Sequence, residues 1–198
     1  MENWLSLLPG LLLGVALSAG SGFRIFVPLL LSNLAAKFGA ISISPDMAWM
    51  AGNTATIVLV TACIAEISAY YVTFIDNILD SIALPASVVA GTLLTTQFLP
   101  IDDPSIKWGL GLLAGGGVAG TIQSSTTMLR LASSKLTGGL GNSFLSSFEN
   151  FVSVIVSILA IWLPIFMGVL AILLTVSLIR KVLKKKAKPQ KSKNRIEI

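Results

Sequence analysis

Apolar residues fill most of this chain in runs that glycine, proline and a few polar residues interrupt. Four of the runs hold about 16 residues, or about 24 Å of helix, whereas about 20 residues are needed to cross the hydrocarbon core of a bilayer. They form two pairs that meet at glycine: 4–19 with 23–38, and 106–119 with 121–136. Each pair predicts a tight helical hairpin or a re-entrant loop, because non-helical backbone at membrane depth must be buried in protein or face water.

Longer apolar runs predict the remaining helices. Residues 47–74 and 82–99 predict spans, and residues 143–183 predict a long helix kinked at Pro164, or two segments, since proline removes a helical hydrogen bond. The predicted organisation has three parts: a first membrane half at 1–100, with the pair 4–38 and the spans 47–74 and 82–99; a second membrane half at 101–183, with the pair 106–136 and the kinked helix; and a polybasic tail at 184–198.

The two pairs of short runs resemble each other. A shift of 98 residues aligns identical residues of the two pairs: Gly22 with Gly120, Leu31 with Leu129, and Lys37 with Lys135. These matches predict an internal repeat, and duplicated halves that meet at a central site are a recurrent plan among transporters. The predicted fold is all-α: a polytopic helical membrane protein built of two related halves with glycine-broken short helix pairs.

Composition supports a membrane location. Hydrophobic residues make up 54% of the 198 positions and charged residues only 12%, against about 25% in soluble domains, and the mean hydropathy is +0.85. Nine of the fourteen lysines and arginines lie between positions 180 and 195. We expect this tail to be disordered and to attract anionic lipids by about 1 kcal/mol per basic residue.

The remaining lysines predict the orientation. Counting each run as a span places Lys37, Lys107, Lys135 and the tail on one side of the membrane, and basic residues favour the cytoplasmic side. We therefore expect a multi-pass protein of the cell membrane whose N- and C-termini are both cytoplasmic.

The residue inventory argues against several classes of function. The chain has a single cysteine, Cys63, and no histidine. The absence of histidine excludes histidine-based acid–base chemistry and histidine metal ligands. The sequence contains no phosphate loop, nucleophile triad or metal-ligand cluster, and no nucleic-acid-binding module. We expect no enzyme activity, no metal, no cofactor and no nucleic-acid partner, while homo-oligomerisation stays open.

Arg24 stands in the otherwise apolar stretch "SAGSGFRIFVPLLL". Arg130 is the second cation that lies within an apolar run and away from the loops where its charge could reach water. Guanidinium groups pair with carboxylates or phosphates, and an intramembrane charge is costly unless it is paired. We expect Arg24 within salt-bridge distance of at least one of four carboxylates: Glu66, Asp76, Asp80 and Glu149. Three interpretations are open: a structural ion pair, an anion or proton-coupled site, and an arginine that extends to the membrane interface.

The candidate carboxylates belong to two polar patterns. One helical stripe is predicted for Glu66, Tyr70, Thr73, Asn77 and Asp80, with Asp76 at its margin. Asp80 by itself also fits a helix end that meets water. Glu149 and Asn150 follow a glycine cluster, near a helix start where the helix dipole also favours a carboxylate.

Glycines at four-residue spacing, such as Gly111 with Gly115 and Gly116 with Gly120, predict close helix packing, because small residues let helices approach each other. The predicted packing positions are Gly20, Gly22, Gly115 and Gly120. The alternative is a glycine backbone that lines a substrate.

Three stretches carry a family resemblance: "GFRIFVPLLL", "EISAYYVTFIDNILDSIALPASVVAG" and "TGGLGNSFLSSFENF". Over residues 12–164 the chain resembles a bacterial membrane family known as domain of unknown function 4126. The resemblance implies an all-helical protein of the bacterial inner membrane and no particular activity. The last stretch carries Glu149 and Asn150 where an acidic pair is expected, so it does not imply a two-carboxylate site.

The leading hypothesis is a small transporter or channel-like protein for an unidentified small solute or ion, with its site between the halves. The candidate binding residues are Arg24, Glu66, Asp76, Asp80, Arg130, Glu149 and Asn150. The alternative is a non-transporting membrane scaffold or assembly factor whose buried charges are structural ties. A water-accessible cavity that reaches Arg24 favours the first hypothesis, and a solid core favours the second.

Overall fold

In this computed structural model of the chain, the described residues are 4–71, 73–138 and 140–187, and side chains are described except at 1–6, 72–77, 80, 139–140 and 185–198. Within these residues the chain is all-helical and has no strand. Its α-helices are α1 (Trp4–Ser21), α2 (Phe26–Lys37), α3 (Asn53–Ala69), α4 (Thr73–Thr96), α5 (Pro104–Leu110), α6 (Gly117–Thr137), α7 (Leu140–Trp162) and α8 (Pro164–Ala187). A 3₁₀ segment (Pro45–Ala51) precedes α3, and a π-helical segment (Gly111–Gly116) joins α5 to α6.

Two helices in the described part of the chain are long and apolar enough to cross a membrane, namely Gly141–Trp162 and Pro164–Lys184. A third candidate is the 3₁₀ segment together with α3, which pass the same test as a pair bent by 54°. Large apolar side chains such as Phe151 and Trp162 are exposed on α7. An apolar outer surface over apolar helices is compatible with a membrane location.

Residues 22–25 separate α1 from α2, and the chain reverses there. Gly10 on α1 lies against Phe98, while Ser32 on α2 accepts a hydrogen bond from Gln97, so both helices reach the same end of α4. The α1–α2 hairpin thus carries its tip, residues 22–25, into the bundle toward α6 and α7.

The second predicted pair is not a hairpin. Residues 104–137 run through α5, the π-helical segment and α6 without a break, which puts Lys107 and Lys135 about 42 Å apart at opposite ends of one helical rod. The glycines at 115–120 permit close packing there, and they do not reverse the chain. The hairpin predicted for 106–136 is therefore wrong, and the reversal of the α1–α2 hairpin has no counterpart within residues 104–137.

Pro164 divides the predicted kinked helix into α7 and α8. Ser146 on α7 accepts a hydrogen bond from Arg130, and Leu183 on α8 shares a cavity with Met128, so both helices approach the same end of α6. The chain therefore reverses between α7 and α8, at Leu163. Because proline has no N–H to donate, it is suited to begin a helix and not to continue one.

The predicted span 47–74 is also divided. Gly52 separates the 3₁₀ segment from α3, and α3 ends at Ala69, before α4 begins at Thr73. The predicted polar stripe from Glu66 to Asp80 is wrong as a single-helix feature, because Glu66 lies on α3, Tyr70 lies in the turn after it, and the other members lie on α4.

Glycines allow the closest helix contacts in the bundle. A Cβ added at Gly91 on α4 would lie 2.5 Å from the carbonyl oxygen of Gly115, and one added at Gly115 would meet Gly91 and Thr95. Gly120 faces Val88 on the same α4 surface, 2.8 Å from the position of an added Cβ. The π-helical segment therefore packs backbone to backbone against α4.

An ion pair holds the loop before α3 over one end of the bundle. Both carboxylate oxygens of Asp46 accept hydrogen bonds from Nζ of the buried Lys107, at 2.7 and 2.8 Å. Lys107, expected in a loop, is thus a buried helical residue that fastens the 3₁₀ segment.

We expect Gly115→Ala to lower the yield of folded protein and its melting temperature in detergent, because the new methyl group would overlap the α4 backbone. The matched control is Gly117→Ala, at a helical glycine with open space at its Cβ position, which should be neutral or stabilising by up to about 1 kcal/mol. Equal behaviour of the two variants would show that the α4 contact is not tightly packed.

Candidate functional site

The tip of the α1–α2 hairpin places Arg24 in the interior of the bundle. Gly20 lies against Ser157 and Pro28, and Gly22 lies against Ile122, so the tip sits close to α6 and α7. Arg24 has no exposed surface. Its Nε donates to Oδ1 of Asn150 at 2.5 Å, and its Nη2 donates to the carbonyl oxygen of Ser146 at 3.0 Å.

Two arginines share the carboxylate of Glu149. Nη2 of Arg24 lies 3.4 Å from Oε2 of Glu149, and Arg130 donates to both oxygens of the same carboxylate, from Nε at 3.2 Å to Oε1 and from Nη2 to Oε2. All three side chains are at most 3% exposed. Glu149 was one of the four partners predicted for Arg24.

Glu66 caps the start of α2 from a different helix. Its Oε1 accepts a hydrogen bond from the N–H of Ile25 at 2.7 Å, and its Oε2 accepts one from the N–H of Phe26 at 3.0 Å. A helix N-terminus carries free N–H groups and the positive end of the dipole, so a carboxylate is favoured there. Glu66 on α3 therefore fixes the hairpin tip through its backbone.

The ring of Tyr70 lies against both guanidinium groups. Cζ of Arg24 is 3.9 Å from the ring centroid, and Cζ of Arg130 is 4.3 Å from it. Cation–π contacts in a desolvated place are worth about 2 kcal/mol each. We call Arg24, Glu66, Arg130 and Glu149, with the Tyr70 ring, the charged cluster.

The charged cluster leaves donor capacity at Arg24. Nε of Arg24 donates to the neutral amide oxygen of Asn150 and not to a carboxylate. Nη1 of Arg24 is buried and has no hydrogen-bond partner among the described residues. A buried unsatisfied donor costs about 1–3 kcal/mol, so an acceptor that reached it would be stabilised there.

An apolar cavity of about 390 Å³ borders the charged cluster, with Glu66 and Tyr70 in its wall. Its other lining residues are apolar and come from α2, α3, α4 and the residues that precede α2. The Tyr70 ring therefore contacts this cavity as well as the guanidinium groups of the two arginines.

The structure brings together five of the seven predicted binding residues: Arg24, Glu66, Arg130, Glu149 and Asn150. They come from the hairpin tip, α3, α6 and α7, and thus from both 1–100 and 101–183. The side chains of Asp76 and Asp80 lie outside the described residues. Within the described part, no three acidic, cysteine or histidine side chains group as metal ligands.

Two contributors to the site were not among the predicted binding residues. They are Tyr70, which was assigned to a polar stripe, and Ser146. Ser146 uses its carbonyl oxygen for Arg24 and its hydroxyl for Arg130, so one residue serves both arginines. Its spacing of three before Glu149 on α7 is the sequence signal that places both on one helix face.

Comparison with known proteins yields one match. A family model described as Domain of unknown function (DUF4126) matches residues 11–184, a range that contains the whole charged cluster. Searches of curated proteins and of solved structures gave no match.

We expect Glu149→Gln to lower the free energy of unfolding by about 3–5 kcal/mol, because it leaves two buried guanidinium groups without their shared carboxylate. Arg130→Gln should cost a similar amount, and the double variant should lose less than the sum, since the two residues are in contact. Unfolding titrations in mixed micelles measure these differences.

Lys37→Gln is the control for loss of a positive charge, because Lys37 is exposed and bonds Asn53 by a surface contact. It should change stability by no more than about 0.5 kcal/mol. Additive losses for Glu149→Gln and Arg130→Gln would contradict the coupling of this pair.

Proposed function

We propose that this chain, which belongs to the family of Domain of unknown function (DUF4126), is a multi-pass membrane protein that binds and moves an anionic solute at the charged cluster. The proposed role is binding and transport, and it includes no chemical conversion of the solute. The observation that carries it is the pair of buried arginines around one shared carboxylate, with Nη1 of Arg24 left unpaired among the described residues.

Electrostatics supports an anion as the solute. Glu149 already binds two guanidinium groups, and both oxygens of Glu66 accept from the backbone of α2. An incoming carboxylate or phosphate would therefore meet donors that the protein's own carboxylates do not saturate. Guanidinium forks match the geometry of both anion types.

The position of the charged cluster also supports a transport site. It lies beside the non-helical tip of the α1–α2 hairpin, where the N–H groups at the start of α2 donate to Glu66. Transporters commonly bind solutes at interrupted helices, because helix termini supply partial charges inside the membrane. Here Glu66 occupies the α2 terminus, so a change at Glu66 would alter how firmly the tip is held.

Full burial of Arg24 implies that this arrangement is occluded. A solute can reach the guanidinium only if the Tyr70 ring turns or the hairpin tip withdraws from α6 and α7. Alternating access requires such a closed arrangement between two open ones.

The distribution of basic residues supports an orientation that differs from the sequence-based expectation. Lys135 and the basic end of α8 lie at one end of the bundle, whereas Lys37 and Lys107 lie at the other. Because basic residues favour the cytoplasmic side, we propose a cytoplasmic C-terminus and a start of α1 on the opposite side.

A membrane scaffold is the second candidate, and one observation favours it. The charged cluster joins the hairpin tip to α3, α6 and α7 without exposing Arg24, as a purely structural tie would. Under this alternative, no anion would bind at the cluster. Ligand binding therefore separates the two candidates.

We expect an anion to raise the melting temperature of the purified protein, since a ligand at a hundredfold excess over its Kd stabilises by about 2.7 kcal/mol. The probes are acetate, inorganic phosphate and palmitate, each titrated with matched counter-ions. At least one should give a saturable shift that Arg24→Lys removes, because lysine keeps the charge and loses the fork. The same anion should produce charge movement or uptake in proteoliposomes.

Lys37→Gln should keep both responses, which controls for a general loss of positive charge. A protein that folds well and shows neither a shift nor transport with any probe would favour the scaffold.

The proposed orientation is tested by cysteine labelling in a Cys63→Ser background. Lys107 is buried and its replacement would remove the Asp46 ion pair, so the neighbouring exposed position 102 is the better reporter. Asp102→Cys should be labelled from outside, and Lys135→Cys should be labelled only after permeabilisation. The reverse pattern would invert the orientation.

A further inference from the structure

Two apolar cavities lie side by side along α4. One has a volume of about 450 Å³ and the other is the 390 Å³ cavity that borders Glu66 and Tyr70. They share four lining residues, Ile25, Phe26, Ile82 and Ala86, and so form one continuous depression, which we call the lateral groove.

The lateral groove exists because small side chains line the wall of α3. Ala62, Ala65 and Ala69 recur on one face of that helix and border the cavity. On α4 the lining extends from Leu79 to Leu93, about 21 Å at 1.5 Å per residue. The groove is therefore long, narrow and apolar, with the shape of an extended acyl chain.

One side of the lateral groove opens toward the surface that the bilayer would cover. Ile82 and Val89 on its rim are 55% and 60% exposed. The groove ends at the charged cluster, where Tyr70 lies between the cavity and Arg24. Ile25 and Phe26, which line both cavities, directly follow Arg24 in the chain.

A groove with these two ends fits an amphiphile. Apolar walls favour a hydrocarbon chain at about 25 cal/mol per Å² of area buried, but they give no preference for a charged head. The preference comes from the cluster, where Nη1 of Arg24 lacks a partner among the described residues and Asn150 adds no negative charge. Because an ionised acceptor forms the strongest hydrogen bond with a guanidinium N–H, an anionic head group is the acceptor that best fits this donor.

We infer that the solute is a single-chain amphipathic anion, with its acyl chain in the lateral groove and its carboxylate or phosphate head at Arg24. This inference rests on the proposed function, because it names the class of solute that the charged cluster binds. It assigns Tyr70 the role of a gate: its ring separates head from guanidinium in the occluded arrangement and turns aside when the head enters.

The test measures binding to the delipidated, full-length protein by native mass spectrometry and by melting temperature. Palmitate and lysophosphatidate are both single-chain amphipathic anions, the first with a carboxylate head and the second with a phosphate head. Monopalmitin supplies a comparable chain without charge, and acetate and inorganic phosphate supply the heads alone. We expect the charged amphiphiles to bind at least about tenfold more tightly than monopalmitin or the small anions.

Ala65→Phe fills the lateral groove and replaces no residue of the charged cluster, and it should weaken the charged amphiphiles by about tenfold or more. Ala132→Phe is the matched control, because Ala132 is exposed on α6, away from the groove, and should leave binding unchanged. Arg24→Lys should weaken the charged amphiphiles and leave monopalmitin unaffected. Comparing palmitate with monopalmitin on the unaltered protein keeps the test decisive if Arg24→Lys does not fold.

Three outcomes would overturn the inference. Equal binding of palmitate and monopalmitin would show an ordinary lipid coat in the groove. Tight binding of acetate or phosphate that depends on Arg24 but not on Ala65→Phe would retain the proposed function and exclude the amphiphile. The absence of Arg24-dependent binding for every anion would remove the proposed function as well.

Discussion

One carboxylate shared by two arginines is the interaction on which the interior of this protein depends. Glu149 on α7 lies between Arg24 from the hairpin tip and Arg130 from α6, and all three are buried. Bringing such groups out of water costs several kcal/mol for each charge, and only mutual contact offsets that cost. The hairpin tip, α6 and α7 are therefore constrained to meet at one point, and the glycines around the tip make the approach sterically possible.

The same constraint gives the hairpin tip two kinds of attachment. Arg24 holds it through a side chain directed toward α7, and Glu66 holds it through the backbone N–H groups at the start of α2. Each attachment uses charge, so the tip would respond to the loss of either carboxylate. A bundle closed only by apolar packing would lack this response.

Sequence patterns identified the chemistry of the site better than its topology. An arginine in an apolar run must find a partner, and this reasoning placed Arg24 with Glu149 among a few candidates. The glycine pairs were read as one motif, yet residues 22–25 reverse the chain whereas Gly111–Gly116 keep a continuous helix. Glycine permits both conformations, and the choice depends on tertiary neighbours such as Gly91, which local spacing does not contain. The role of Asn150 is likewise visible only in the structure, where its amide oxygen accepts a hydrogen bond from Arg24.

The π-helical segment has a consequence for helix phase. Its i→i+5 bonding accommodates about one extra residue in the turn, so every residue after it is rotated by about 100° relative to a continuous α-helix. Lys107 before the segment and Arg130 after it are both buried in this rotated register. Regular α-helical winding of the same residues would turn the guanidinium of Arg130 away from Glu149, whereas removing one residue between positions 111 and 116 would restore regular winding and keep the phase of Lys107 and Arg130. The π-helical segment thus sets the rotation at which Lys107 and Arg130, on one helical rod, both reach their acidic partners.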